Sequence, residues 1–161
     1  MDTATIISTL QELAYLLGVF GFFLGYAIFR GRQAVINLVV GLYFALLISI
    51  EFPYYDKFLA HAGSAHNIAM GKIILFIAFT VLATILIKRL MPEAYQETKF
   101  ESFPKKFLLA IGGTILIMVF SFHVLPVTEF LTPGTPIQSL FAPSEYFFWW
   151  LLAPFIVLYI N

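Results

Sequence analysis

Four long runs of apolar residues, separated by short polar stretches, dominate the pattern of the chain. They cover about 6–29, 34–50, 68–87 and 107–127. A helix needs about 20 residues to cross a hydrocarbon layer roughly 30 Å thick, because each residue advances about 1.5 Å. The pattern therefore predicts an all-α fold with four transmembrane helices.

A fifth apolar run, "YFFWWLLAPFIVLYI" at 146–160, is shorter than the others. It would span only about 22 Å as a helix, and Pro154 removes a backbone donor near its middle. Trp149 and Trp150 lie at its beginning, and such amphipathic rings prefer the headgroup region of a bilayer. These features favour a helix that lies at the interface or re-enters the membrane, with a tilted fifth span as the alternative.

Composition places the whole chain in the membrane class. Of its 161 residues, 61% are hydrophobic and 11% are charged, against roughly 45–50% and about 25% in soluble domains. The four long runs and the shorter fifth run extend over nearly the whole chain, so 1–161 is interpreted as one transmembrane domain. The formal net charge is +0, which gives no basic face for nucleic acid.

The distribution of basic residues predicts the orientation. Loops on the cytoplasmic side are enriched in Lys and Arg, and most of the nine basic residues fall in the first turn and between the third and fourth runs. No Lys or Arg precedes the first run, which also lacks the basic start of a signal peptide. We therefore expect a span with the N-terminus outside the cytoplasm. The residues that determine this topology are Arg30, Arg32, Lys88, Arg89, Lys105 and Lys106.

Small residues indicate where helices approach each other. Gly21 and Gly25 in the first run, and Gly41, Ala45 and Ser49 in the second, repeat at four-residue spacing and so share a helical face. Close approach of transmembrane helices depends on such faces. The first two spans are expected to pack as an antiparallel hairpin, and the same faces also suit a contact between subunits.

Three ionisable residues within or near the predicted spans are candidates for a polar membrane site: Glu12, Lys72 and His123. Ionisable groups at such positions are functional hypotheses. All three fall in the half of the membrane away from the cytoplasm, so they could form one polar pocket. The plainer interpretation is that Glu12 and Lys72 snorkel to the headgroups and that His123 is a hydrogen-bonded interfacial side chain.

Nothing in the sequence predicts a cofactor, a metal or a catalytic group. No second intramembrane histidine exists to pair with His123 on a haem, and the four methionines are scattered. The chain has no cysteine and no glycine-rich phosphate loop.

The segment "GYAIFRGRQAVINLVVGLYFALLIS", 25–49, resembles the opening of the colicin V production protein family, CvpA. An Arg/Gly turn follows the first span and leads directly into a second span with Gly and Ala. The rest of the layout is similar: an aromatic loop, "YYDKF" at 54–58, precedes the third span, a polar inner loop separates the third and fourth spans, and the last apolar run, 146–160, is rich in aromatic residues. Glu12 fills the place of an early acidic residue of the family, whereas Gln33 stands where the family often has a charge.

This resemblance implies a small, non-enzymatic protein of the bacterial inner membrane that supports bacteriocin-type export or envelope maintenance. Its expected partners are membrane lipids and either further copies of the chain or another membrane protein. Two alternatives belong to other classes: a channel or transporter subunit that forms a pore by oligomerisation, and a membrane-embedded redox or lipid-modifying enzyme.

Overall fold

The computed structural model describes residues 3–60, 63–91, 103–125 and 135–161, with side chains from Ile6 onward. Within these ranges the chain forms seven helices and no strand. In chain order they are α1 (Thr3–Arg30), α2 (Arg32–Glu51), α3 (Tyr55–Leu59), α4 (Ala65–Leu90), α5 (Phe103–His123), α6 (Pro136–Phe141) and α7 (Ser144–Ile160).

Four of the described helices, α1, α2, α4 and α5, are long and apolar enough to cross a membrane. They correspond to the four apolar runs, and each begins a few residues earlier than the apolar pattern alone indicates. The last two residues of the predicted span 107–127 lie outside the described residues. The prediction of an all-α, multi-pass membrane protein is confirmed.

The turn between α1 and α2 consists of one residue, Gly31. Its φ of 86° is in the left-handed region, which a glycine adopts without steric cost. The Gly31 N–H still donates to the Ala27 carbonyl at 3.1 Å, which completes the last turn of α1. Arg30 lies in that last turn, where a positive charge interacts favourably with the helix dipole.

Helix α5 lies at the centre of the bundle and contacts α1, α2, α6 and α7. The other extensive contact joins α2 to α4, whereas α1 and α4 do not make a substantial contact with each other. Phe23, Leu116 and Phe120 are among the fully buried side chains of the core. The four long helices thus form two pairs, α1 with α5 and α2 with α4. The contact between α2 and α5 joins the two pairs.

The small residues of α2 pack against α4 at Gly41. A Cβ added to Gly41 would clash with the Thr84 hydroxyl and lie 3.1 Å from the Thr84 backbone nitrogen. Ala45 and Ser49, on the same face, are also buried. In α1, by contrast, a Cβ added to Gly21 or Gly25 would meet nothing within 4 Å. Helices α1 and α2 do touch, but the partner of Gly41 is α4 and not the neighbouring helix of the hairpin.

Helix α7 lies lengthwise along α5. At one end the ring of Phe147 is 4.5 Å from that of His123, and toward the other end Val157 faces Gly112. The two helices are therefore antiparallel over most of the length of α7. Val157 and Pro154 pack closely on Gly112, so α7 lies along the bundle and not flat across its end. Whether its 17 residues form a fifth span or a re-entrant helix stays a prediction.

The bundle has two chemically different ends. One, called here the arginine end, carries the predicted topology determinants at the close of α1 and α4 and at the start of α2 and α5: Arg30, Arg32, Lys88, Arg89, Lys105 and Lys106. The opposite end carries α3 and α6 and is called here the α6 end.

Candidate functional site

The short helix α6 joins three elements of the fold. At its start, Thr135 is the N-cap and its hydroxyl donates to the Glu12 carboxylate of α1. At its close, the Phe141 carbonyl accepts a 2.8 Å hydrogen bond from His123 Nε2 of α5. The Trp150 indole of α7 donates to the Leu140 carbonyl at 3.0 Å. Because a carbonyl only accepts, the Nε2 atom of His123 must carry the proton of this bond.

Glu12 is buried, with only 1% of its surface exposed. Its Oε2 accepts from Thr135, and its Oε1 has no hydrogen-bond partner. The expectation that this side chain snorkels to the headgroups is therefore not met, because Thr135 covers it from α6. An unpaired polar oxygen costs free energy in an apolar interior, so the burial of Oε1 opposes the stability that the bond to Thr135 contributes.

Lys72 and His123 line the same pocket at the α6 end. The pocket has a volume of about 430 Å³, and its other polar lining residues are Ser49 and Tyr55. Ser49 and Tyr55 share a 2.5 Å hydrogen bond between their hydroxyl groups. The Lys72 ammonium lies 5.8 Å from the centre of the Tyr55 ring, within the range of a cation–π contact.

The three candidate residues therefore do not converge on one pocket. The structure brings Lys72 and His123 together and places Glu12 outside their pocket, against Thr135. Helix α6 links Glu12 to His123 only indirectly, since the two side chains bind its opposite ends.

A hydrogen bond between Tyr15 and Ser121 lies within the bundle, and the sequence pattern did not predict it. The two oxygens are 2.8 Å apart. Ser121 also donates to the Ile117 carbonyl, so its single proton is used there and Tyr15 is the donor of the pair. The spacing of Glu12 and Tyr15 hints at a polar stripe on α1, but only the packing of α1 on α5 identifies Ser121 as the partner.

A long apolar groove separates α1 from α4. It has a volume of about 840 Å³, and α2, α5 and Leu125, just after α5, contribute the rest of its wall. Phe22 of α1 is 59% exposed and Ile77 of α4 is 55% exposed, so both rims face the surroundings of the bundle. Leu125 lines both this groove and the pocket of Lys72 and His123, so the two spaces adjoin there.

The described residues contain no group of three His, Asp, Glu or Cys side chains suited to a metal ion. Comparison of the chain with protein-family models, curated proteins and solved structures finds no match. The class of the protein is thus given by its fold, a multi-pass helical membrane protein.

Proposed function

We propose that this chain is a non-enzymatic protein of the bacterial inner membrane that supports bacteriocin-type export or envelope maintenance through contacts made in the plane of the bilayer. The groove between α1 and α4 is the observation that supports this role. It is apolar, it is open at the side of the bundle, and no other part of the described chain fills it.

The chemistry of the bundle agrees with a binding role. The polar side chains of the groove wall are those of Tyr15, Thr80 and Ser121, and Tyr15 and Ser121 are hydrogen-bonded to each other. Thr80 donates to the Phe76 carbonyl of its own helix, so its hydroxyl is engaged within the protein. Catalysis requires positioned acids, bases or nucleophiles within reach of one another, and this wall presents no such set.

A pore-forming subunit makes a different prediction. Several copies would have to present polar surfaces to a shared path, whereas the rims of the groove are apolar. Purified protein in proteoliposomes should therefore give no ion or solute flux above that of empty vesicles. Flux that depends on protein concentration would favour the pore.

Filling the groove tests the proposed role directly. Gly18 lines the groove, and a Cβ added there would meet nothing within 4 Å. Gly18→Phe should therefore occupy the groove without disturbing the bundle. Gly21→Phe is a matched control on the same helix, because Gly21 has equally open surroundings and does not line the groove.

The assay is complementation of a strain that lacks the gene, with bacteriocin release and resistance to detergent as readouts. We expect Gly21→Phe to restore both properties and Gly18→Phe to restore neither, with equal amounts of each protein in the membrane. Full complementation by Gly18→Phe would overturn the role of the groove.

A further inference from the structure

The pocket at the α6 end has the character of an anion site. The Lys72 ammonium provides a positive charge with three donors, and Ser49 and Tyr55 provide hydroxyl groups. No carboxylate is among the described residues that line this pocket. An anion in the pocket would therefore meet attraction from Lys72 without an opposing charge on the pocket wall.

Ser49 and Tyr55 are hydrogen-bonded to each other, and His123 is hydrogen-bonded to Phe141. Lys72 is therefore the lining group that is available to a ligand. Its contact with Tyr55 is made through the face of the ring, at 5.8 Å from the centroid, and does not use a directed hydrogen bond. His123 is held in place by Nε2, which donates to Phe141. The pocket thus presents a cation on a flexible stem, which suits a compact anionic group such as a phosphate, while the Nε2–H of His123 is already donated to Phe141.

The surroundings of the pocket indicate a lipid as the source of that phosphate. At Leu125 the pocket adjoins the apolar groove, and the groove opens to the side through exposed rims that include Phe22 and Ile77. A free phosphate would use only the pocket, whereas a phospholipid has an anionic headgroup and an acyl chain that match the two adjoining spaces.

We propose that the pocket of Lys72 and His123 binds the headgroup of an anionic phospholipid whose acyl chain lies in the groove between α1 and α4. The attraction is that of the Lys72 ammonium for an anionic phosphate, a charge interaction that does not depend on which leaflet supplies the lipid. This inference rests on the proposed function, since it names the ligand of the same lateral groove.

The test is a titration of the full-length protein in detergent with phosphatidylglycerol, followed by native mass spectrometry. We expect tighter binding of phosphatidylglycerol than of phosphatidylcholine. Lys72→Gln should weaken phosphatidylglycerol binding about fivefold, the ratio that corresponds to ~1 kcal/mol for one basic residue, while Lys72→Arg should retain the preference.

Lys57→Gln is the matched control. Lys57 lies in α3 at the same end and contacts an aromatic ring, that of Tyr54 at 5.5 Å, but it does not line the pocket. Its substitution should leave binding unchanged. Equal losses in Lys57→Gln and Lys72→Gln, or equal affinity for the two lipids, would overturn the proposal. A circular dichroism melt of each variant identifies any loss that comes from unfolding.

A second arm distinguishes the two sources of phosphate. Inorganic phosphate at the same concentration should neither bind in a Lys72-dependent manner nor displace the lipid. If it does both, the ligand is a free anion and the lipid proposal fails.

The two proposals fail separately. If lipid selectivity depends on Lys72 but Gly18→Phe complements fully, the inferred site stands and the proposed function falls. If Gly18→Phe abolishes complementation while the two lipids bind alike, the function stands and the lipid site falls.

Discussion

Tyr43 of α2 donates a 2.6 Å hydrogen bond to the backbone carbonyl of Leu151 in α7. The Tyr43 ring also stacks on Phe155, with 4.1 Å between the ring centres. This contact lies beside Pro154, which lacks an N–H and so leaves the Trp150 carbonyl without its usual donor in the helix. Helix α7 nevertheless continues from Ser144 to Ile160. Tyr43 contacts α7 at the turn that lacks this backbone hydrogen bond, and so stabilises the packing of α7 on the bundle.

Tyr43→Phe should loosen α7 because the Leu151 carbonyl loses its side-chain donor while the aromatic stacking remains. We expect the free energy of unfolding to fall by about 0.6 kcal/mol, the mean for hydrogen bonds between helices in a membrane protein. Thermal unfolding in detergent measures the change. Tyr159→Phe is the control, since Tyr159 is 92% exposed on the same helix; equal melting of the two variants would argue against a stabilising role of the bond.

Gly41→Leu should separate α2 from α4. Even a Cβ at this position would press against Thr84, including its backbone nitrogen at 3.1 Å, and the backbone cannot turn aside as a flexible side chain can. Overpacking of this kind costs about 1–3 kcal/mol. Gly21→Leu, in open surroundings, should melt like the unmodified protein, and a similar loss in both variants would contradict the close contact with α4.

Glu12→Ala and Glu12→Gln should differ in stability. Glutamine keeps an acceptor oxygen for Thr135 and a similar shape, whereas alanine leaves the Thr135 hydroxyl without its partner and opens a cavity. An unsatisfied buried group costs about 1–3 kcal/mol. We expect Glu12→Ala to melt at a lower temperature than Glu12→Gln in detergent. Identical melting of the two variants would show that the bond to Thr135 contributes nothing.

The orientation is testable with single cysteines, because the chain contains none. Leu90→Cys lies at the arginine end and Ala60→Cys at the α6 end, both at exposed positions. Since Lys and Arg favour the cytoplasmic side, a membrane-impermeant thiol reagent added to intact cells should label Ala60→Cys and spare Leu90→Cys. The reverse pattern would place the N-terminus in the cytoplasm.

A fusion after Asn161 tests the path of α7. Because α7 runs antiparallel to α5 from the α6 end toward the arginine end, a reporter that works only in the cytoplasm should be active there. The expected control is an inactive fusion at Ala60. An inactive reporter after Asn161 would instead support the interfacial or re-entrant placement that the aromatic residues of the segment favour.

The four long helices were predictable from sequence because the signal for a membrane span is local. Each of the four runs reaches at least the lower limit of roughly 17 residues for a membrane span, whatever its neighbours are. The turn at Gly31 was equally local, since two arginines and a glycine interrupt the apolar pattern there. The boundaries were less precise, because caps such as Ser64, which accepts from the Asn67 N–H, extend helices into polar sequence.

Part of the candidate site was also visible in the sequence. Glu12, Lys72 and His123 stand out because ionisable residues are rare in apolar runs. The sequence places them in the same half of the membrane, but depth alone does not say which side chains meet. Rotation of each helix about its axis decides that, and this rotation puts Lys72 and His123 on the wall of one pocket and turns Glu12 toward Thr135.

The sequence by itself therefore determined the class of the protein, its four spans and the uneven distribution of its charges, all of which depend on residues close together in the chain. Tertiary structure alone decided that Gly41 meets α4, that Tyr15 donates to Ser121 and that a groove stays open between α1 and α4. The physical reason is that lipid tails are as apolar as the helix surfaces, so burial of apolar area does not select partners. Shape and a few hydrogen bonds do so, and both depend on residues far apart in the sequence.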